Sequence, residues 1–92
     1  MNEARLALKR HVILEREADD EDLVLIDSKS GRMNACNETA SIVIAELQAG
    51  ATIGRLVQAL SSRFAVTQEV ATRDVNALLD VLASEGLLES AE

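Results

Sequence analysis

Aromatic side chains are almost missing from this sequence: Phe64 stands alone among 92 residues, with no Trp and no Tyr. The core must therefore be aliphatic, and no aromatic platform exists on which bases or sugars stack. Cysteine is as scarce, and with Cys36 alone no internal disulfide forms. The opening stretch MNEARLALKRH has no apolar run of signal-peptide length, so a reducing cytoplasm is the expected location. No run is long enough for a membrane-spanning helix. Positive charge is short as well: nine Lys and Arg against sixteen Asp and Glu leave a net charge of −7. The cations that exist are scattered, whereas phosphate backbones need them clustered, so no nucleic-acid partner is expected.

The same scarcity limits chemistry. His11 is the one histidine and Cys36 the one cysteine; a nucleophile and its base would have to be this pair, with a third group to orient them, and nothing in the sequence brings them together. Closely spaced His and Cys ligands of a structural zinc site are absent. The carboxylates of residues 15–22 lack the glycine turn and spacing of a calcium loop. Neither an enzyme nor a metal or cofactor is expected, and the acidic run reads as a solvated connection.

Ninety-two residues make one small domain. Residues 1–10 read as a mobile arm and 90–92 as a tail. His11-Val12-Ile13-Leu14 is a first strand. Leu23-Val24-Leu25-Ile26 is a second, and Asp27-Ser28-Lys29-Ser30-Gly31 supplies the turn into a third, short strand Arg32-Met33-Asn34-Ala35. That last strand is too short and too polar to anchor a core; it either ends the sheet or offers its edge to something else.

Beyond Ala35 the periodicity becomes helical. Ala40, Val43, Ile44 and Leu47 recur at helical spacing behind an Asn37 cap, and Gly50 ends this helix. Thr52 caps a second helix with the stripe Ile53, Leu56, Val57, Leu60 and Phe64. Thr67 caps a third, reaching about Glu85 and stopped by Gly86, after which Leu87-Leu88 turns back onto the core. On the third helix Ala71, Val75, Leu78 and Leu82, with Leu79 beside them, form a sufficient packing stripe. Val70, Ala77 and Val81, with Asp74 among them, widen the apolar arc to roughly 200°, about twice what a surface helix needs. Either the hairpin packs on that flank or the flank is one wall of a groove beside the edge strand.

The order of Leu23-Val24-Leu25-Ile26, Gly31, Asn37-Glu38-Thr39-Ala40, Gly50-Ala51-Thr52, Asp74-Val75 and Gly86-Leu87-Leu88 resembles the PqqD-like family of peptide chaperones, also called RiPP recognition elements. The resemblance covers residues 11–89. It implies an α+β fold, winged helix-turn-helix-like, with three helices and a small three-stranded antiparallel sheet. It also implies a function: a non-enzymatic module that captures the leader of a ribosomally made precursor peptide and presents it to a modifying enzyme or leader peptidase, in a lasso-type pathway among others. The leader would pair as an extra strand at Arg32, Met33, Asn34 and Ala35 beside Val70, Arg73, Asp74, Ala77 and Val81. Asp74 either accepts a hydrogen bond from the leader or pairs internally with Arg32 or Arg73. This sequence departs from the family where Met33 and Asn34 replace aromatic residues, Cys36 a leucine, and Ile44 a tryptophan. The competing reading is a winged-helix transcription regulator; against it, residues 67–85 carry Arg73 alone beside Glu69, Asp74, Asp80 and Glu85.

Overall fold

The computed structural model describes residues 4–16 and 22–91. The chain runs β1 (Arg5–Leu8), β2 (Val12–Arg16), β3 (Leu23–Asp27), β4 (Met33–Ala35), α1 (Glu38–Ala49), β5 (Ala51–Thr52), α2 (Ile53–Arg63), α3 (Gln68–Ser84) and β6 (Leu88–Ser90). The three expected helices are present with the expected caps. Asn37 Oδ1 accepts from the Ala40 N–H at 2.8 Å, Thr52 Oγ1 from Arg55 and Thr67 Oγ1 from Val70, each at 3.1 Å. The hairpin is present as well, with Gly31 at φ +78° closing its turn.

Two differences from the sequence reading concern the ends. Residues 1–10 are not an arm throughout, because Arg5–Leu8 forms the middle strand of a second sheet, ordered β5-β1-β6; Met1, Asn2 and Glu3 lie outside the described residues. Ser90, assigned to a tail, belongs to β6, and the Ala91 N–H donates to the Arg5 carbonyl at 2.9 Å. The acidic run begins in structure too: Glu15 and Arg16 extend β2 to pair with Val24 and Leu23, while residues 17–21 lie outside the described part.

The core is aliphatic. Val43, Ile44 and Leu47 of α1, Leu56, Val57 and Leu60 of α2, and Ala71, Val75, Leu79 and Leu82 of α3 close on Leu23, Leu25, Ala51 and Leu87. Leu79 takes the buried place and Leu78 is half-buried, a rotation of the expected stripe that matters at the site. A Schellman motif ends α3: Leu87 N–H donates to the Leu82 carbonyl at 2.9 Å and Gly86 N–H to that of Ala83 at 3.1 Å, with Gly86 at φ +75°. Leu82 and Leu87 are both buried, so the motif also seals the core and holds Glu85 at the helix end.

Candidate functional site: a strand edge beside a helix groove

The sheet of β2, β3 and β4 has β4 at its margin. Its register pairs Ile26 with Met33, Leu25 with Asn34 and Val24 with Ala35. At the two ends, Asp27 N–H donates to the Arg32 carbonyl and Cys36 N–H to that of Leu23, both at 2.9 Å. Hydrogen-bonded and non-hydrogen-bonded pairs alternate in an antiparallel ladder, so Asn34 is the residue bonded to β3, and Met33 and Ala35 turn their N–H and C=O groups outward. Two donors and two acceptors therefore line the open margin.

Both ends of β4 are fixed by polar contacts. At the hairpin end, the Asp27 carboxylate accepts from the Lys29 N–H at 3.0 Å and faces His11 Nε2 at 3.5 Å. Burial works to raise the Asp27 pKa but is outweighed by hydrogen bonds from Lys29 and Ser30 and by the His11 charge, so it is lowered. The Ser28 hydroxyl donates to the His11 carbonyl at 2.7 Å, tying the turn to β2. At the other end the buried Ser41 hydroxyl accepts from the Leu23 N–H at 2.9 Å and reaches the Cys36 carbonyl at 3.5 Å, which joins α1 to the point where β4 leaves the sheet.

Between β4 and the last turns of α3 lies an open groove of about 290 Å³. Asn34, Ala35 and Cys36 form one side, Leu78, Val81, Leu82 and Glu85 the other, with Leu25, Ala40, Ile44 and Leu87 in its lining. Val81 is 51% exposed. Burial pushes the Cys36 pKa up, and a nearby Asp22 adds to the shift, so the thiol in this groove stays protonated and unreactive at neutral pH. His11 sits at the Asp27 end of β3 and Cys36 at the Leu23 end, about 13 Å of strand apart; they form no nucleophile and base pair. Among the described residues, no cluster of His, Cys, Asp and Glu is arranged to hold a metal ion, and no helix is long and apolar enough to cross a membrane.

The structure thus brings Asn34, Ala35 and Val81 together, whereas Arg32 and Met33 are not in the lining: Arg32 precedes β4 and the Met33 side chain stands on the outer face of the sheet. Val70, Arg73, Asp74 and Ala77 do not line the groove; they lie on earlier turns of α3. Asp74 pairs with Arg73 at 3.8 Å, while Arg32 reaches Glu85 at 3.7 Å. Leu78 and Glu85 are groove residues that the sequence reading missed, Leu78 because its spacing fits the core stripe equally well.

A second surface belongs to the same sheet. Directly paired residues project to one side, so Ile13, Ile26 and Met33 form a row across all three strands, with Val24 and Ala35 in the next row. This is the face opposite Leu14 and Leu25, which pack toward the core. Met33 is 64% and Ile13 46% exposed.

The family model for "Coenzyme PQQ synthesis protein D (PqqD)" matches residues 22–88. Two solved structures share the fold. One is TbiB1 in complex with the TbiA(beta) leader peptide, 23% identical with a TM-score of 0.80 over 90% of this chain and 94% of that one. The other is lasso peptide synthetase B1 complexed with the leader peptide, 26% identical with a TM-score of 0.78 over 91% and 96% of the two chains. No curated protein sequence matches significantly.

Proposed function

The chain belongs to the PqqD family, and from that premise we propose that it is a cytoplasmic peptide chaperone with no catalysis of its own, binding the leader segment of a ribosomal precursor in a lasso-type pathway. The observation that carries the reading is the open β4 margin lying directly beside the apolar α3 groove. Leader complexes among the similar structures support it. An extended leader adds to β4 through the outward groups of Met33 and Ala35, and alternate side chains enter the groove over Val81 and Leu78. Arg32 precedes that pairing and Asn34 lies within it, its own backbone bonded to β3. A longer leader continues along Val70, Arg73, Asp74 and Ala77.

Four backbone hydrogen bonds at about 1 kcal/mol each and two apolar anchors at about 2 kcal/mol each give a gross gain near 8 kcal/mol, reduced by ordering the leader. With about 2–5 kcal/mol taken up by ordering, the remainder corresponds to affinity from tens of micromolar to millimolar, and tighter binding needs better anchors. Tethering then raises the effective concentration of the precursor at the enzyme that acts on it. The surface offered to that modifying enzyme or leader peptidase is the outer row of Ile13, Ile26 and Met33, because a strand added to β4 extends this face.

Substituting Met33→Pro tests the reading. Proline removes a donor that points away from β3, leaving the internal ladder intact. Titration of labelled candidate leaders, taken from short reading frames beside the gene, is expected to show about a fivefold or greater loss of affinity with an unchanged circular dichroism spectrum. Undiminished affinity in the folded variant removes strand addition from consideration.

A further inference from the structure

Arg32 and Glu85 form the one ion pair that joins the two sides of the groove among the described residues: Arg32 precedes β4, and Glu85 caps α3. The contact is loose. A single guanidinium nitrogen lies 3.7 Å from one carboxylate oxygen, with Arg32 74% and Glu85 33% exposed, the kind of pair that contributes little and exchanges readily. Among the described residues, Glu85 is the one carboxylate lining the groove. It is also less exposed than its partner, held in place by the Schellman motif, whereas Arg32 extends from a turn.

The end of α3 has a second property. Its last turn contains no basic residue, although the carbonyl end of a helix favours a nearby cation. Glu85 adds a full negative charge to that end, and Asp80 lies exposed earlier on the same helix. Arg32, supplied from across the groove, is the cation paired with Glu85 at this place.

Resting on the leader-binding reading, we propose that Glu85 is a specificity-determining residue of the groove, selecting peptides that carry a Lys or Arg side chain beside the apolar anchor, with Arg32 as a displaceable placeholder. A guest cation reaching Glu85 releases Arg32 to solvent, so the ion pair is exchanged rather than lost. An acidic guest side chain at the same place meets Glu85 and the helix end, and in a protein of net charge −7 it gains no compensating field.

The test is selection of a displayed library of random twelve-residue peptides on the full chain and on the Glu85→Gln and Arg32→Gln variants, with affinities of the selected peptides measured by fluorescence anisotropy. The wild-type chain is expected to enrich Lys and Arg over Asp and Glu at one position of fixed distance from an apolar residue. Replacing that residue by Gln should weaken binding about three- to tenfold, and Glu85→Gln should erase the difference. Arg32→Gln should tighten cationic peptides about twofold by removing the competitor. Enrichment of acidic residues overturns the proposal and makes Arg32 the reader instead, and weaker cationic binding in Arg32→Gln overturns it by showing that Arg32 is no competitor. Apolar enrichment without charge preference overturns it while leaving strand addition standing; no enrichment at all overturns both.

Discussion

The molecule holds two three-stranded sheets that differ in what their backbones are used for. The sheet ordered β5-β1-β6 is consumed by the fold: its middle strand comes from residues 5–8, one neighbour is the two-residue joint between α1 and α2, and the other follows α3. Lys9 N–H donating to the Leu87 carbonyl at 2.9 Å extends the same closure. The sheet ordered β2-β3-β4 is local hairpin structure, with one face on the core and one margin left open over the groove. Sequence-distant pairing builds the first and stabilises the body; sequence-local pairing builds the second and leaves an edge for a partner.

That contrast breaks most easily at β1. Deleting residues 1–10 removes the middle strand of the closed sheet and should cost on the order of 5 kcal/mol, enough to abolish a cooperative urea transition. A variant that still unfolds cooperatively at the same midpoint would make the strand dispensable. Within the open sheet, the two faces should separate sharply. Leu14→Lys, directed at the core, is expected to cost about 3 kcal/mol, while its neighbour Ile13→Lys stays within about 0.5 kcal/mol. The second variant should bind peptide normally yet fail to pull down the pathway enzyme; retained pull-down would place that enzyme elsewhere.

Ser41→Ala sharpens the comparison by a smaller step. It leaves the Leu23 N–H without its acceptor in a buried place, a loss of about 1–3 kcal/mol in chemical denaturation. Peptide affinity should fall as well, because the same hydroxyl reaches the Cys36 carbonyl where β4 ends. The smallest effect concerns pH. Asp27 has a folded pKa below its ordinary 3.8, so its contribution is complete above that value and is lost as pH falls through the lower folded pKa. Asp27→Asn should lower neutral stability slightly, by the contribution it removes, and flatten the acid limb below pH 3.8 so that the two proteins converge there, as differential scanning fluorimetry over a pH series will show.

The elements most legible in the sequence are those with local chemistry. Asn37, Thr52 and Thr67 mark helix starts with side chains that bond three residues ahead, and Gly31 marks the hairpin turn. β1 was illegible for the opposite reason. Arg5-Leu6-Ala7-Leu8 contains no β-branched residue, and its partners are Ala51, Thr52 and Leu88 to Ser90, so tertiary pairing rather than propensity makes it a strand. The alternation of Leu6 and Leu8 was the available signal. At the site, β4 was legible from its turn and its polarity. The groove was not, since whether Leu78 or Leu79 faces the core depends on helix rotation, which spacing alone leaves open. Glu85 was hidden because its meaning depends on Arg32, 53 positions away (85 − 32) and opposite it only after folding.

β4 is three residues long, and this brevity bears on how the protein survives at high concentration. Two molecules meeting margin to margin would share only the bonds of Met33 and Ala35 before their chains diverged, and each would bring its own surplus of negative charge to the encounter. Such a contact cannot propagate into a fibril.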